Sequence, residues 1–389
     1  MNRLKELRAA KGLSLAALSD ATGGVVTRQA IWKYETGRDS PSAPVAIKLA
    51  QVLGVKGAEL FSAPSIQVEC LGFRASKRLG VKKRAALELT LKHSLERRVW
   101  LQQKIQPTAD STPPVQNFPV TTILDAQGAA ASLRSFWGLG QSPIANLIAL
   151  LESKNVYVIE LEASEDFDGL CAVAKNTHGQ YIAAAVAYRK GMPWSRQRFS
   201  LAHELAHLVM RVPDNCTEDE EEKLAHSFAG AFLVASEELK RFIGARRRVL
   251  TVQELFVLKR NFGASIQALT MRLYGLGLLG TRDYRNTWSM IYAAGWRKKE
   301  PGEMPAETSL WTSQAAFAAV AEGIISEEEA TEFIGHVKPK TISSLSDERR
   351  ALLSQPAERR RKRLEELSQE AVPYADATDW DETITDGLT

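Results

Sequence analysis

Residues 199–210, FSLAHELAHLVM, restrict the fold more than any other stretch of the chain. They read as an apolar-periodic helix, yet His203, Glu204 and His207 stand in its middle. A fold that buries such a helix must give those three polar side chains a use. His203 and His207 are one turn apart and project from one helix face, so both can offer an imidazole nitrogen to one Zn²⁺. Glu204 sits beside them, placed to take a proton from a water activated by the metal. Two hydrogen-bonded surface histidines beside a carboxylate would share this spacing without any metal.

A catalytic zinc takes three protein ligands and keeps one position open for water. The next segment supplies candidates. Thr217 followed by Glu220 is a capping-box pattern, which starts a helix at 217. Glu218 to Glu222 then fall in its first turns, where the helix dipole favours acids, and this accounts for most of the acidic run. Glu222 and His226 are one turn apart and face the same way. One of them is the third ligand, Glu222 preferred, and the other supports the ligands or touches substrate. Of the six histidines, 203, 207 and 226 cluster within one short stretch, whereas His93, His178 and His336 stand alone and read as ordinary. Cys216 reads as a plain loop cysteine.

A chain of 389 residues exceeds one compact core. No stretch approaches the roughly 18 uncharged apolar residues of a membrane helix, and the N-terminal residues lack the apolar run of a signal peptide. Three widely spaced cysteines make no disulfide framework, so the expected compartment is the cytoplasm. The net charge of +4 conceals two unlike parts. Residues 1–106 carry 19 Lys/Arg against 8 Asp/Glu, net +11, and residues 107–389 carry 31 against 38, net −7. The front can attract polyanions and the remainder should not.

Residues 2–60 read as short helices, 66–73 as a strand, and 76–105 as a basic helix that either presents a solvated face or tracks phosphates. PTADSTPPVQNFP (107–119) reads as a linker. Strands are expected at 156–163 and 180–189, and helices at 199–210, 220–234 and 252–262. A helical segment follows from about 283 to 336, then an acidic, disordered tail. The expected domains are therefore 1–61, 62–106, 107–119, 120–282 and 283–389.

Residues 14–38, SLAALSDATGGVVTRQAIWKYETGR, read as helix, glycine-containing turn and helix, with Thr27 as the second N-cap. In a helix-turn-helix the second helix enters the major groove, and its N-terminal residues meet base edges. Thr27, Arg28, Gln29 and Lys33 are the expected DNA-binding residues, with Arg28, Gln29 and Lys33 on that reading face, where Arg suits guanine and Gln suits adenine. Ile31 and Tyr34 form the buried side.

The segment resembles Xre-type, lambda-repressor-like helix-turn-helix domains over residues 2–61, notably IWKYETGRDSP followed by AIKLAQVLGV. One departure is Leu15, where such domains often carry a phosphate-contacting Gln. Likewise, WSRQRFSLAHELAHLVM and EKLAHSFAGAFLV resemble the ImmA/IrrE-type metallopeptidases over about 120–280. The usual Met-Pro or Leu-Pro that closes their second motif is Val234-Ala235 here. This resemblance implies an α+β zincin-like domain, zinc held by His203, His207 and Glu222, and Glu204 as general base. His226, Arg196 and Arg198 would support the ligands or touch substrate.

The order of the parts resembles fused regulators of that family, mainly α, with a helical C-terminal extension. It implies a transcription regulator that binds a double-stranded DNA operator as a homodimer. It also implies a zinc peptidase that cuts a helix-turn-helix repressor, a partner or the chain itself, in a stress, DNA-damage or mobile-element response. The alternative is a DNA-binding repressor or antitoxin-like regulator whose zinc domain senses a ligand or partner without proteolysis.

Overall fold

The computed structural model describes residues 3–55, 57–60, 66–75, 79–106, 112–244 and 250–334. The acidic tail, His336, the arginine runs at 246–248 and 359–363, and residues 107–111 of the proline-rich segment lie outside the described residues.

Four helices open the chain: α1 (Leu4–Ala10), α2 (Leu15–Ala21), α3 (Arg28–Glu35) and α4 (Ala43–Leu53). Ser14 caps α2 by accepting from the Ala17 amide at 3.0 Å, and Thr27 caps α3 by accepting from the Ala30 amide at 3.2 Å. Between these helices Gly23 and Gly24 take φ values of 73° and 75°, which a side chain would resist. Leu4, Leu18, Ile31, Leu49 and Leu60 close a small core of their own.

Strand β1 (Gln67–Ala75) and helix α5 (Val81–Ile105) follow. Next come β2 (Phe118–Pro119), α6 (Ile123–Phe136), α7 (Leu147–Ser153), β3 (Val156–Leu161), β4 (Phe167–Lys175) and β5 (Tyr181–Arg189). The histidine-bearing helix α8 (Trp194–Val209), β6 (Met210–Arg211) and α9 (Glu218–Leu233) come next. The sheet order is β1-β4-β5-β3, with β3 parallel to β5 and the other pairs antiparallel.

The sheet is buried on both faces. Alternate residues of β4 point opposite ways: Leu170 and Ala172 meet Leu91, Leu95 and Val99 of α5, while Cys171 and Val173 join Leu201 and Leu205 of α8. The connecting segment is therefore built into the sheet rather than strung between domains. β1 contributes an edge strand, and α5 covers one face. Its basic residues divide accordingly: Lys82, Lys83 and Arg84 are exposed, but Arg98 is buried and pairs with Glu152 at 2.9 Å, so it cannot track phosphates. Residues 112–119 also pack against the domain rather than hang free. Val115 is buried, the Gln116 amide donates to Leu208 O at 2.7 Å, and β2 pairs with β6.

The domain is completed by α10 (Ser236–Ile243), α11 (Val252–Phe262), α12 (Ile266–Gly275) and α13 (Thr281–Ala293). The helical segment expected from about 283 to 336 is divided by a non-helical strap around Pro301 and Pro305 that reaches residue 310. Three acids on this strap cap three helices. Glu300 accepts from the Ile266 amide of α12, Glu303 from the Ser195 amide of α8, and Glu307 from the Leu147 and Ile148 amides of α7. Buried Lys259 bridges Glu300 and Glu303 at 2.8 and 2.5 Å. Helix α14 (Trp311–Ala321) leads into a second unit beginning at Ala316, which contains α15 (Glu327–Ile334) and buries Ala316, Ala319, Ile325 and Ala330. No described helix is long and apolar enough to cross a membrane.

Candidate metal centre and nucleic-acid interface

Helix α8 lies across β1, β4 and β5, so its middle turns are sealed and His203 and Glu204 are fully buried. His203 Nε2 and His207 Nε2 stand 3.1 Å apart. Helix α9, started by the Thr217–Glu220 capping box, brings Glu222 over them. One carboxylate oxygen is 3.4 Å from His203 Nε2 and the other 3.5 Å from His207 Nε2. Tetrahedral ligands at zinc–nitrogen distances of about 2.0–2.1 Å stand roughly 3.3 Å from one another, so the spacing of these donors suits zinc. Among the described residues, His203, His207 and Glu222 form the one group of three or more His, Cys, Asp or Glu able to hold a metal ion.

Charge supports the same use. Burial works against a charged His207, but hydrogen bonding to Glu221 and Glu222 prevails and lifts its pKa to about 10. Burial likewise opposes ionisation of Glu222, yet contact with His203 and His207 holds it far below the usual carboxylate range. The pocket is built to contain positive charge.

Glu221 is the participant that the sequence reading passed over. Its carboxylate is 2.9 Å from His207 Nδ1, which turns the opposite ring nitrogen toward the centre. The signal available was position alone, one residue before Glu222. His226 stands aside from the donor group. Its Nδ1 is 2.6 Å from the backbone oxygen of Glu222, and its ring is 4.6 Å from that of His203. Arg196 is half-exposed and donates to Asp168 at 2.7 Å. Arg198 is placed elsewhere than expected: it is fully buried and donates to Gly263 O, Ile144 O and Glu307, so it supports the core and cannot reach a substrate. Burial pushes the Cys171 thiol well up and Cys70 to about 11, which keeps both protonated and poor ligands.

On α3, Arg28, Gln29 and Lys33 are exposed, and Ile31 is buried. Thr27 serves as the cap described above. Trp32 is 40% exposed and carries the Arg38 guanidinium 4.5 Å from its ring centroid. Leu15 is half-buried against the small core, an apolar use of a position expected to meet phosphate.

Residues 4–60 match the helix-turn-helix family, and residues 162–274 match the IrrE N-terminal-like domain, a peptidase family. The chain joins these two domains. The helix-turn-helix match coincides with the four-helix unit and its core. The peptidase-type match spans β4, β5 and α8 through α12, whereas β1 and α5 lie outside it although they complete the same sheet. A Methanocaldococcus jannaschii protein named as an HTH-type transcriptional regulatory protein is 46% identical over 61 residues, covering 15% of this chain and 19% of that relative.

Proposed function

We propose that this protein is a DNA-binding regulator with a zinc-dependent peptidase centre, and that its substrate is a helix-turn-helix repressor, either a partner or the chain itself near 107–119. The observation that carries the reading is the closure of Glu222 over His203 and His207, beside buried Glu204, in a chain that also presents Arg28, Gln29 and Lys33 on an exposed helix. The three-donor set matches a catalytic site that leaves one position for solvent. A homodimer acting in the cytoplasm fits two operator half-sites.

His203, His207 and Glu222 would hold the ion. When bound, zinc would supply Lewis-acid polarisation of a peptide carbonyl and of water. Glu204 takes the attacking water's proton and returns it to the leaving amide nitrogen. Glu221 keeps the His207 ring in register throughout. The test is to purify wild type and Glu204→Gln, measure zinc in both, and incubate each with candidate repressors. Equal zinc and cleavage by the wild type alone are expected. Cleavage that persists in the Gln variant sinks the mechanism, and a wild type that binds operator and zinc but cuts nothing favours the sensing role.

Burial opposes charge on His207, but hydrogen bonding to Glu221 and Glu222 outweighs it and favours the protonated ring before metal enters. Zinc uptake must expel that proton, so calorimetric titration at pH 7 in buffers of different ionisation enthalpy should count about one proton released per zinc. Affinity should fall as pH drops. A proton count of zero contradicts a protonated His207 in the zinc-free site.

For the DNA arm, Arg28→Ala should relax base preference at one operator position at a cost of about 1–3 kcal/mol. Replacing Lys82, Lys83 and Arg84 by Ala should weaken binding to all sequences and flatten its salt dependence. Wild-type operator binding by both variants would end the DNA assignment.

A further inference from the structure

Two glycines lie directly beneath the catalytic face of α8, on neighbouring strands. A Cβ added at Gly169 of β4 would stand 2.3 Å from Glu204 Oε1, 2.6 Å from its Cδ and 2.7 Å from its Cγ. One added at Gly72 of β1 would stand 3.2 Å from both Cβ and Cγ of His207 and 3.1 Å from Cys171 Sγ. Neither glycine adopts a positive φ. Close approach, rather than backbone freedom, therefore bars a side chain at Gly169 unless Glu204 moves, and admits one at Gly72 only if its neighbours give by a few tenths of an ångström. Their placement follows from register. Gly72 pairs with Cys171 and Arg74 with Gly169, so the pleat turns Gly72, Gly169 and Cys171 toward α8.

We infer that Gly169 and Gly72 are positioning residues, the first for the Glu204 carboxylate and the second for the His207 ring. The inference rests on the metal-centre reading above and extends it. β1 lies outside the segment matched to the peptidase family, so the strand joining the DNA-binding helices to the rest is a structural part of the metal centre.

The two sites have separable consequences. At Gly169 a methyl group displaces the carboxylate of a side chain that is fully buried and has little room to move, and the three atoms nearest to it all belong to Glu204 rather than to His203, His207 or Glu222. At Gly72 it meets the Cβ of His207, which no rotamer change can withdraw, so α8 or β1 must shift. Zinc affinity then reports on Gly72, and the state of Glu204 reports on Gly169.

The test uses the full chain and two readouts, zinc affinity by competition with a chromogenic chelator and thermal unfolding of the zinc-free protein. Gly72→Ala should weaken zinc binding about 10–100-fold, the range expected when a ligand loses its support. Should that variant fold poorly, Gly72→Ala/Cys171→Ala relieves the sulfur contact but not the histidine contact, and its zinc affinity should remain low. Gly169→Ala should leave zinc affinity unchanged and lower the melting temperature. That loss should vanish in a Glu204→Ala background, where the space is open. Wild-type zinc affinity in either Gly72 variant, or an equal melting loss from Gly169→Ala with and without Glu204, overturns the inference. A wild type that binds no zinc would instead refute the metal-centre reading, and the Gly169–Glu204 comparison in zinc-free protein would still be decided.

Discussion

Arg198→Met is expected to destabilise the protein by about 3–5 kcal/mol, the cost of breaking a buried charge pair from one side. The guanidinium is fully buried, donates to Gly263 O at 3.1 Å and Ile144 O at 2.7 Å, and pairs with Glu307. Removing it strands two carbonyls and leaves Glu307 charged in the interior, where that carboxylate also caps α7 at 2.8 and 2.9 Å. Urea unfolding should show the loss as a lower midpoint with the slope unchanged. Arg196→Met, two residues earlier on the same helix, breaks only a half-exposed pair with Asp168 and should cost less than about 1 kcal/mol. Adding Glu307→Gln to Arg198→Met should restore part of the stability, because the orphaned charge goes with it. Equal losses from Arg196→Met and Arg198→Met would show that the strap carries no such pair.

The second large effect is zinc-linked stability. Zinc at 1,000 times its dissociation constant should add about 4 kcal/mol to unfolding, measured against protein stripped with chelator. His203→Ala and Glu222→Ala should each abolish that gain. His226→Ala should retain it, because its Nδ1 is engaged with the Glu222 backbone and its ring lies beside the donors rather than among them. A gain that survives Glu222→Ala and disappears in His226→Ala would exchange their roles.

The elements that sequence reading located are those whose signals are local. The capping box at Thr217 started α9 as expected, and α11 occupies 252–262 as the helical periodicity implies. The histidine helix was legible too, although α8 begins five residues before Phe199, at Trp194. Strand β4 was not. Its sequence, FDGLCAVAK, is buried on both faces and has neither alternation nor helical period, and it holds Gly169. His203 and His207 were readable because one-turn spacing puts both on one helix face, whereas Glu222 was one of two candidates with His226 and was singled out by the family resemblance.

What surrounds the triplet depends on contacts between distant parts of the chain. Arg198 and Glu307 are 109 residues apart in sequence, and nothing near Arg198 marks it as buried. Arg98 sits in a run that reads as surface charge, yet its guanidinium lies 3.9 Å from the Trp311 ring centroid and 4.5 Å from that of Tyr157. The same holds for Gly72, 135 residues from His207 in sequence and adjacent to it only through β-sheet register.

His203, His207 and Glu222 are proposed to hold a zinc ion with one position left for solvent, beside Glu204. A crystal structure of the full chain grown with zinc, with anomalous scattering recorded at the zinc edge, tests it most directly. One strong peak is expected, coordinated by His203 Nε2, His207 Nε2, the Glu222 carboxylate and one solvent oxygen. A zinc enclosed by four protein ligands, or one bound without Glu222, would contradict it.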